Sequence, residues 1–286
     1  MLNVAQNAMR IGHHTPYWVL ARCAIFFTIA VGLQHPALAQ GKLDAHYAIT
    51  FARVSVGEIK TATEFSAVGY SIAVNGHARG IIKTLISGEA EVSARGATED
   101  GSLVPTEYHS TFKADAGTAT VRMVLDHGEL KELTATPAAA ANAGGEGTEP
   151  VKGVVDPLTA VLLAAPAEAE ALSAEACRRT VAVFDGQHRY ELKFAFKRLD
   201  KQPEGKRAYG GPVLVCSFTY QPVGPYQASP LGKYLSEGRE MEIALVFVAG
   251  SRVLAPVRFS VGSMLANLVI EADRFEWKPE PVTSGQ

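Results

Sequence analysis

The sequence has no surplus of positive charge and very little cysteine. Its 286 residues contain 27 Lys and Arg against 29 Asp and Glu, so the formal net charge at pH 7 is -2. Because a chain without a basic surplus cannot neutralise a phosphate backbone, nucleic acid is not an expected partner. Three cysteines are too few for a disulfide-packed miniprotein, and 47% hydrophobic residues are too many for a disordered chain. The composition predicts a globular protein with a substantial core.

The chain also lacks a long apolar run beyond its N-terminal region, so no stable membrane span is expected there. The short run Cys23–Leu33 follows Arg22 and precedes the small-x-small sequence Ala37-Leu38-Ala39. This layout is typical of a secretory signal peptide cleaved after Ala39, which leaves residues 40–286 as the exported protein. The alternative is an uncleaved anchor that begins near Tyr17 and is interrupted by Arg22.

Removal of residues 1–39 leaves two cysteines, Cys177 and Cys216. Exported proteins fold in an oxidising compartment, where such a pair most simply forms a disulfide. Two free thiols or a redox pair are the alternatives, but redox pairs are usually closely spaced. We therefore expect a structural disulfide between Cys177 and Cys216.

Alternation of apolar and polar residues dominates the exported chain. Leu43, Ala45 and Tyr47 share one face of the first such segment, which predicts a half-buried strand. Similar segments recur up to Phe275, and turn sequences such as Asn75-Gly76 separate them. The pattern predicts a single, mainly β domain over residues 40–286, although a division into two subdomains depends on how residues 135–176 pack.

The middle of the chain departs from this alternation. Residues 135–150 are rich in Ala and Gly and carry no large apolar side chain, which predicts a flexible exposed loop. Asp156 followed by Pro157 predicts the N-cap and first residue of a helix running to Leu163, with an anion-binding helix terminus as the alternative. A second short helix is predicted between Pro166 and Cys177, and the spacing of Ile and Leu in residues 79–87 suggests one helical turn.

A hairpin is predicted around Phe184, Asp185 and Gly186. Asp-Gly is a turn signal, and the flanking strands are Thr180–Phe184 and Tyr190–Lys197. The letters Phe-Asp-Gly also occur in the magnesium motif of kinases, but the other kinase motifs are missing, so a hairpin turn is the better interpretation.

A search for catalytic and ligand-binding motifs is negative. The histidines of the exported chain, among them His46, His77, His127 and His188, do not have metal-ligand spacing, so no metal site is predicted. No nucleophile elbow is found, because Leu265 occupies the position where that motif has its second glycine. No phosphate-binding glycine loop is found either. We therefore expect no cofactor and no enzymatic activity.

Several strings of the sequence resemble an uncharacterised periplasmic family, domain of unknown function 3108. They are V-D-P-L-T-A at Val155–Ala160, T-V-A-V-F-D-G-x-x-R-Y at Thr180–Tyr190, P-V-R-F-S-V-G at Pro256–Gly262, and the opening segment Tyr47–Gly57. The resemblance implies an exported periplasmic protein of the Gram-negative envelope. It further implies, by analogy with periplasmic lipoprotein carriers, a curved antiparallel sheet or incompletely closed β-barrel with one or two short helices between its halves.

Three functions remain in competition. The first is a non-enzymatic protein that binds an apolar ligand, a lipid or acyl chain, or an envelope protein on its curved sheet. The second is a structural or stress-related envelope-integrity protein that acts through protein contacts. The third is a hydrolase whose site no motif reveals.

Overall fold

The computed structural model describes residues 40–78, 88–115, 117–137, 151–166, 171–202, 208–223, 230–237, 239–262 and 267–280. The predicted signal peptide, the helical turn predicted in residues 79–87 and residues 138–150 of the predicted loop lie outside these ranges. All described residues belong to one compact unit.

Fourteen strands and three short helices occur in the described residues. The first half contains β1 (Gly41–Phe51), β2 (Val54–Phe65), β3 (Gly69–Ala78), β4 (Gly88–Glu99), β5 (Ser102–Ala114), β6 (Gly117–Asp126) and β7 (Glu129–Thr136). The second half contains α1 (Pro157–Ala160), β8 (Leu163–Ala164), α2 (Ala174–Cys177), β9 (Arg179–Phe184), β10 (Arg189–Gln202), β11 (Gly211–Pro222), α3 (Pro230–Ser236), β12 (Met241–Val248), β13 (Val253–Val261) and β14 (Leu268–Pro279).

The strands form one antiparallel sheet in which neighbours in sequence are almost always neighbours in space. Its order is β7-β6-β5-β4-β3-β2-β1-β14-β13-β12-β11-β10-β9, with the short β8 paired to β13. Strand β1 joins the two halves because it pairs with β2 on one side and with the C-terminal strand β14 on the other. Strands β7 and β9 end this order and do not pair with each other in the described residues. The expected mainly β fold with an unclosed antiparallel sheet is confirmed.

A short segment, residues 151–155, connects the two ends of the sheet, and we call it the strap. On the β7 side, Leu130 N donates to Val151 O at 3.0 Å and Val154 N donates to the carbonyl of Gly128 at 3.1 Å. On the β9 side, Val155 N donates to Ala182 O at 2.9 Å. The strap therefore satisfies backbone groups of both end strands, which would otherwise be left unpaired.

Among the described residues, the core consists of three clusters of apolar side chains. The first lies on the inner face of β1–β7 and includes Tyr70, Tyr108 and Met123. The other two lie on opposite faces of β11–β13, so that Leu214 and Cys216 face one cluster while Val213 and Val215 face the other. Burial on both faces explains why β11 reads as a continuous apolar run in the sequence.

Three expectations from the sequence need correction, and one helix has no counterpart in the prediction. Ala135 belongs to β7 and is only 8% exposed, so the predicted loop does not begin there. Asn75 and Gly76 do not form a turn, because both lie within β3 and pair with β2 and β4. The predicted helix after Asp156 has a single turn and gives way to β8, which pairs with β13. Helix α3 lies in a region for which no helix was predicted.

Candidate functional site

The two central strings of the family resemblance meet at the strap. Val155 forms a parallel bridge to Val183, and Phe184 N donates to Val155 O at 3.0 Å. This pairing brings Asp156 and the β9–β10 hairpin to the same end of the sheet. Their polar side chains are therefore the first candidates for a functional site.

Asp156 is fully buried and serves its own helix. Its Oδ1 accepts from Leu158 N at 2.9 Å and from Thr159 N at 3.0 Å, while Oδ2 accepts from Thr159 Oγ1 at 2.6 Å. Burial raises the pKa of this carboxyl, and the hydrogen bonds from Thr159 and Leu158 oppose that rise. Pro157 occupies the first turn of α1. The carboxylate thus compensates for its burial by capping α1, which is a structural role.

The Asp185 side chain is likewise occupied by the hairpin turn. Its Oδ1 accepts from Gln187 N at 2.8 Å and from His188 N at 2.6 Å, and Oδ2 lies 3.1 Å from His188 Nδ1. Gly186 has φ +93°, a conformation that glycine adopts without strain. A Cβ at this position would lie 2.3 Å from Val121 Cγ1, so the turn packs closely against β6.

Tyr190 follows the same hairpin and packs against Tyr220, with ring centroids 4.7 Å apart. Burial raises the pKa of Tyr190. A phenol in this environment stays neutral, so Tyr190 contributes to the core and is not a ready source of phenolate.

Cys177 and Cys216 form a disulfide between α2 and β11, with their Cα atoms 5.6 Å apart. Both residues are 0% exposed and lie in the second core cluster. A buried disulfide among apolar side chains is shielded from thiol exchange, which indicates a structural bond.

A row of histidines and carboxylates crosses four neighbouring strands on the outer face. His46 places Nδ1 at 2.5 Å from Asp273 Oδ1 and Nε2 at 3.5 Å from Glu58 Oε2. His77 Nε2 lies 2.8 Å from Glu58 Oε1. No local pattern in the sequence indicates this row, because its members meet only through the register of β14, β1, β2 and β3. In the described part of the chain, no three or more His, Cys, Asp or Glu side chains are arranged to hold a metal ion.

A different surface lies on the inner face of β3–β6. Toward one end of these strands the inward residues are buried: Ile72, Ala94, Tyr108 and Met123 occupy adjacent register positions. Toward the other end the inward positions stay apolar or small but become half-buried or exposed. They form two rows, which together we call the open rows: Gly76, Ala90, Phe112 and Ala119, then Ala78, Gly88, Ala114 and Gly117.

The open rows contrast with the outer face of the same strands. None of the eight residues is fully buried, and Phe112 is 50% exposed. The outward neighbours on these strands include His77, Glu89, Glu91 and Lys113. Apolar alternation therefore continues beyond the packed core, to a part of the inner face that the core does not fill.

One open pocket is lined by β3, β4 and β5, and another by β14, β1, β2 and β3. One has a volume of about 640 Å³ and is lined at the ends of β3, β4 and β5 by small residues of the open rows together with charged outward residues. The other has a volume of about 750 Å³ and is lined mainly by outward residues, among them His46, Lys60 and Asn75. The first pocket places half-buried small residues and the exposed Ala114 beside polar groups at one end of the sheet.

Comparison with known proteins gives a family and a similar solved structure. A family model described as "Protein of unknown function (DUF3108)" matches residues 46–272. No curated protein matches the chain. The chain is similar to the crystal structure of a beta-barrel-like protein of domain of unknown function DUF1849 from Brucella abortus, with 12% sequence identity and a TM-score of 0.47. That alignment covers 84% of this chain and 98% of the other. Among the helices described, none is long and apolar enough to span a bilayer.

Proposed function

Because the chain belongs to the DUF3108 family of proteins of unknown function, we propose a function from its own geometry: it is an exported, non-enzymatic protein that binds the acyl chain of a lipid on the open rows. The observation that carries this proposal is the apolar character of the inner face where the core does not cover it. Phe112 lies at the centre of that surface, opposite Ala90 on β4 and Ala119 on β6.

The size and chemistry of the open rows suit an extended hydrocarbon chain. Their side chains are small except for Phe112, so a chain can approach the backbone of four strands while it contacts one aromatic ring. Burial of about eight methylene groups would contribute roughly 6 kcal/mol, which corresponds to a dissociation constant on the order of 10 to 100 μM.

The remaining parts of the proposal rest on two further observations. The disulfide between Cys177 and Cys216 supports export to an oxidising compartment, in agreement with a periplasmic location. The side chains of Asp156, Asp185 and Tyr190 are engaged by helix, turn and core, which supports a role without catalysis.

The decisive experiment is titration of the protein without its signal peptide with environment-sensitive fluorescent fatty acids of different chain lengths. We expect saturable micromolar binding that strengthens with chain length. Phe112→Asp places a charge among the open rows and should weaken binding at least tenfold. His109→Asp lies on the outer face of the same strand and should leave binding within twofold of wild type.

Absence of saturable binding at every chain length would contradict the proposal, as would equal affinity of Phe112→Asp and wild type. Native mass spectrometry of protein purified from its own compartment gives a second test, since a bound lipid should survive gentle desolvation. Retention of an apolar polypeptide in place of a lipid would redirect the function to protein binding.

A further inference from the structure

The β1–β2 turn projects from the same end of the sheet as the open rows. In the second open row Ala78 pairs with Gly57 of β2, and Gly57 pairs with Ile49 of β1. The strands then continue to Phe51 and Val54, which pair with each other across the turn. We call residues 51–54 the tip.

The tip exposes apolar side chains in place of turn-forming residues. Phe51 is 43% exposed and Val54 is 56% exposed. Between them, Ala52 and Arg53 have φ of +49° and +69°. A two-residue hairpin turn with positive φ at both positions normally carries Asn-Gly or Asp-Gly. Ala and Arg are therefore unfavourable at these two turn positions, and the requirements of the turn do not explain the residue types found at the tip.

Turns at the opposite end of the sheet have a different composition. The β4–β5 turn contains Glu99 and Asp100, and the β6–β7 turn contains Asp126 and His127. Val68, in the β2–β3 turn, is an apolar exception and is 78% exposed. It provides a matched control, because it is an exposed valine in a turn at the far end of the same sheet.

Arg53 is the only charged residue in the segment 47–57 that forms the tip and its flanking strand ends. Arg53 is exposed, and no ion pair involves it among the described residues. Glu89 and Lys113 lie opposite each other in the register of β4 and β5 and offset one another. Asp115 next to β5 and Glu91 on β4 are further acids at this end, and Glu58 on β2 is buried and contacts His77. Exposed apolar side chains beside an arginine are the features by which peripheral proteins enter the interface of anionic lipids.

We propose that the tip docks this end of the protein on the surface of an anionic lipid bilayer, with Phe51 and Val54 inserted at the interface and Arg53 beside the lipid phosphates. This inference rests on the proposed acyl-chain binding, because docking would bring the open rows to the membrane that supplies the lipid. Docking itself is a separate property that can be measured separately.

The test is flotation of the protein without its signal peptide with vesicles of phosphatidylglycerol and phosphatidylethanolamine, compared with pure phosphatidylcholine vesicles. We expect the protein to float with the anionic vesicles. The double variant Phe51→Asp/Val54→Asp should lower the bound fraction at least tenfold, whereas Val68→Asp should stay within twofold of wild type. If the double variant does not fold, as judged by circular dichroism, Phe51→Ser alone should lower the bound fraction at least threefold.

Arg53→Gly tests the charge without damage to the turn, because glycine accepts positive φ. It should reduce binding to anionic vesicles about threefold and should not lower thermal stability. Equal flotation of wild type and the Phe51 and Val54 variants, or no flotation of wild type, would overturn the docking proposal.

The soluble fatty-acid titration separates the two proposals. The tip variants should bind the soluble probe as wild type does, because the tip lies outside the open rows. Binding of the probe without flotation would refute docking alone, and tip-dependent flotation without binding of the probe would refute the acyl-chain function alone.

Discussion

The hydroxyl of Tyr70 lies 2.6 Å from Thr159 Oγ1 and joins strand β3 to helix α1, across 89 residues of sequence. Thr159 Oγ1 in turn donates to the buried carboxylate of Asp156. When that carboxylate is ionised, the threonine proton is committed to it, so Tyr70 must donate to Thr159. This chain of hydrogen bonds fixes α1 against the inner face of the first half of the sheet.

Tyr70→Phe should therefore destabilise the protein by about 1 kcal/mol, because Thr159 loses a buried donor. Urea denaturation measures the change. Tyr209→Phe is the matched control: its hydroxyl donates to Pro212 O at 3.0 Å in an exposed setting, where water can replace the lost bond. If Tyr209→Phe lowered the free energy of unfolding as much as Tyr70→Phe, the stabilising role of the buried Tyr70–Thr159 hydrogen bond would be contradicted.

Asp156 should make the stability of the protein fall as pH rises, which is the opposite of the usual effect of an aspartate. Burial raises its pKa in the folded protein above the ordinary 3.8, so the folded state holds the proton more tightly than the unfolded state. Its contribution to stability is then complete below the unfolded pKa and is lost as pH rises through the folded pKa. Relative to Asp156→Asn, the wild-type protein should lose stability as the pH rises above about 4.

Urea denaturation of both proteins from pH 4 to pH 8 tests this sign, because all other titrating groups cancel in the difference. The predicted sign would be contradicted if the free energies of unfolding of the two proteins changed in parallel with pH. It would also be contradicted if wild type became more stable relative to Asp156→Asn as the pH rose. Asp156→Ala removes the cap at every pH and should cost about 1 to 2 kcal/mol.

Local patterns in the sequence predicted many of the strands because their alternation is strict. Leu43, Ala45 and Tyr47 show this for β1, where all three are buried as the pattern requires. Local preference predicts a turn at Asn75 and Gly76. The ladders to β2 and β4 override that preference, and Gly76 pairs with Ile59 and Ala90.

Features that depend on contacts distant in sequence could not be predicted. The strap bonds to Gly128 and Leu130 on one side and to Ala182 on the other, and no local pattern specifies those partners. The exposure of Phe112 could not be predicted either, because Phe112 and the buried Tyr108 occupy equivalent positions in the alternation of apolar and polar residues along β5. What separates the two residues is the extent of the first core cluster, which includes Tyr108 and does not reach Phe112.

The disulfide should contribute measurably to stability. It joins residues separated by 39 positions, for which the chain-entropy model gives an upper figure of about 4 kcal/mol. In oxidising buffer the double variant Cys177→Ala/Cys216→Ala should melt roughly 10 °C below wild type. After unfolding in urea with a strong reductant, which exposes and reduces the bond, wild type and variant should refold in reductant to free energies of unfolding within about 1 kcal/mol of each other. Equal melting in oxidising buffer would contradict the bond.

Gly186 and Gly153 form a matched pair that separates steric overlap from backbone strain. Both have positive φ, +93° and +67°, but a Cβ at Gly186 would lie 2.3 Å from Val121 Cγ1 whereas nothing lies within 4 Å at Gly153. Gly153→Ala should cost about 1 kcal/mol from strain alone. Gly186→Ala should cost an additional 1 to 3 kcal/mol, roughly the penalty of overpacking.

The overlap can be removed without any change at the turn. Val121→Ala takes away the Cγ1 methyl that the new Cβ would strike, so it should be less costly, or even stabilising, when Gly186→Ala is already present. A double-mutant cycle by urea denaturation should show favourable coupling of about 1 kcal/mol or more. Additive effects of the two substitutions would mean that the β9–β10 turn does not pack against β6 as the distance indicates.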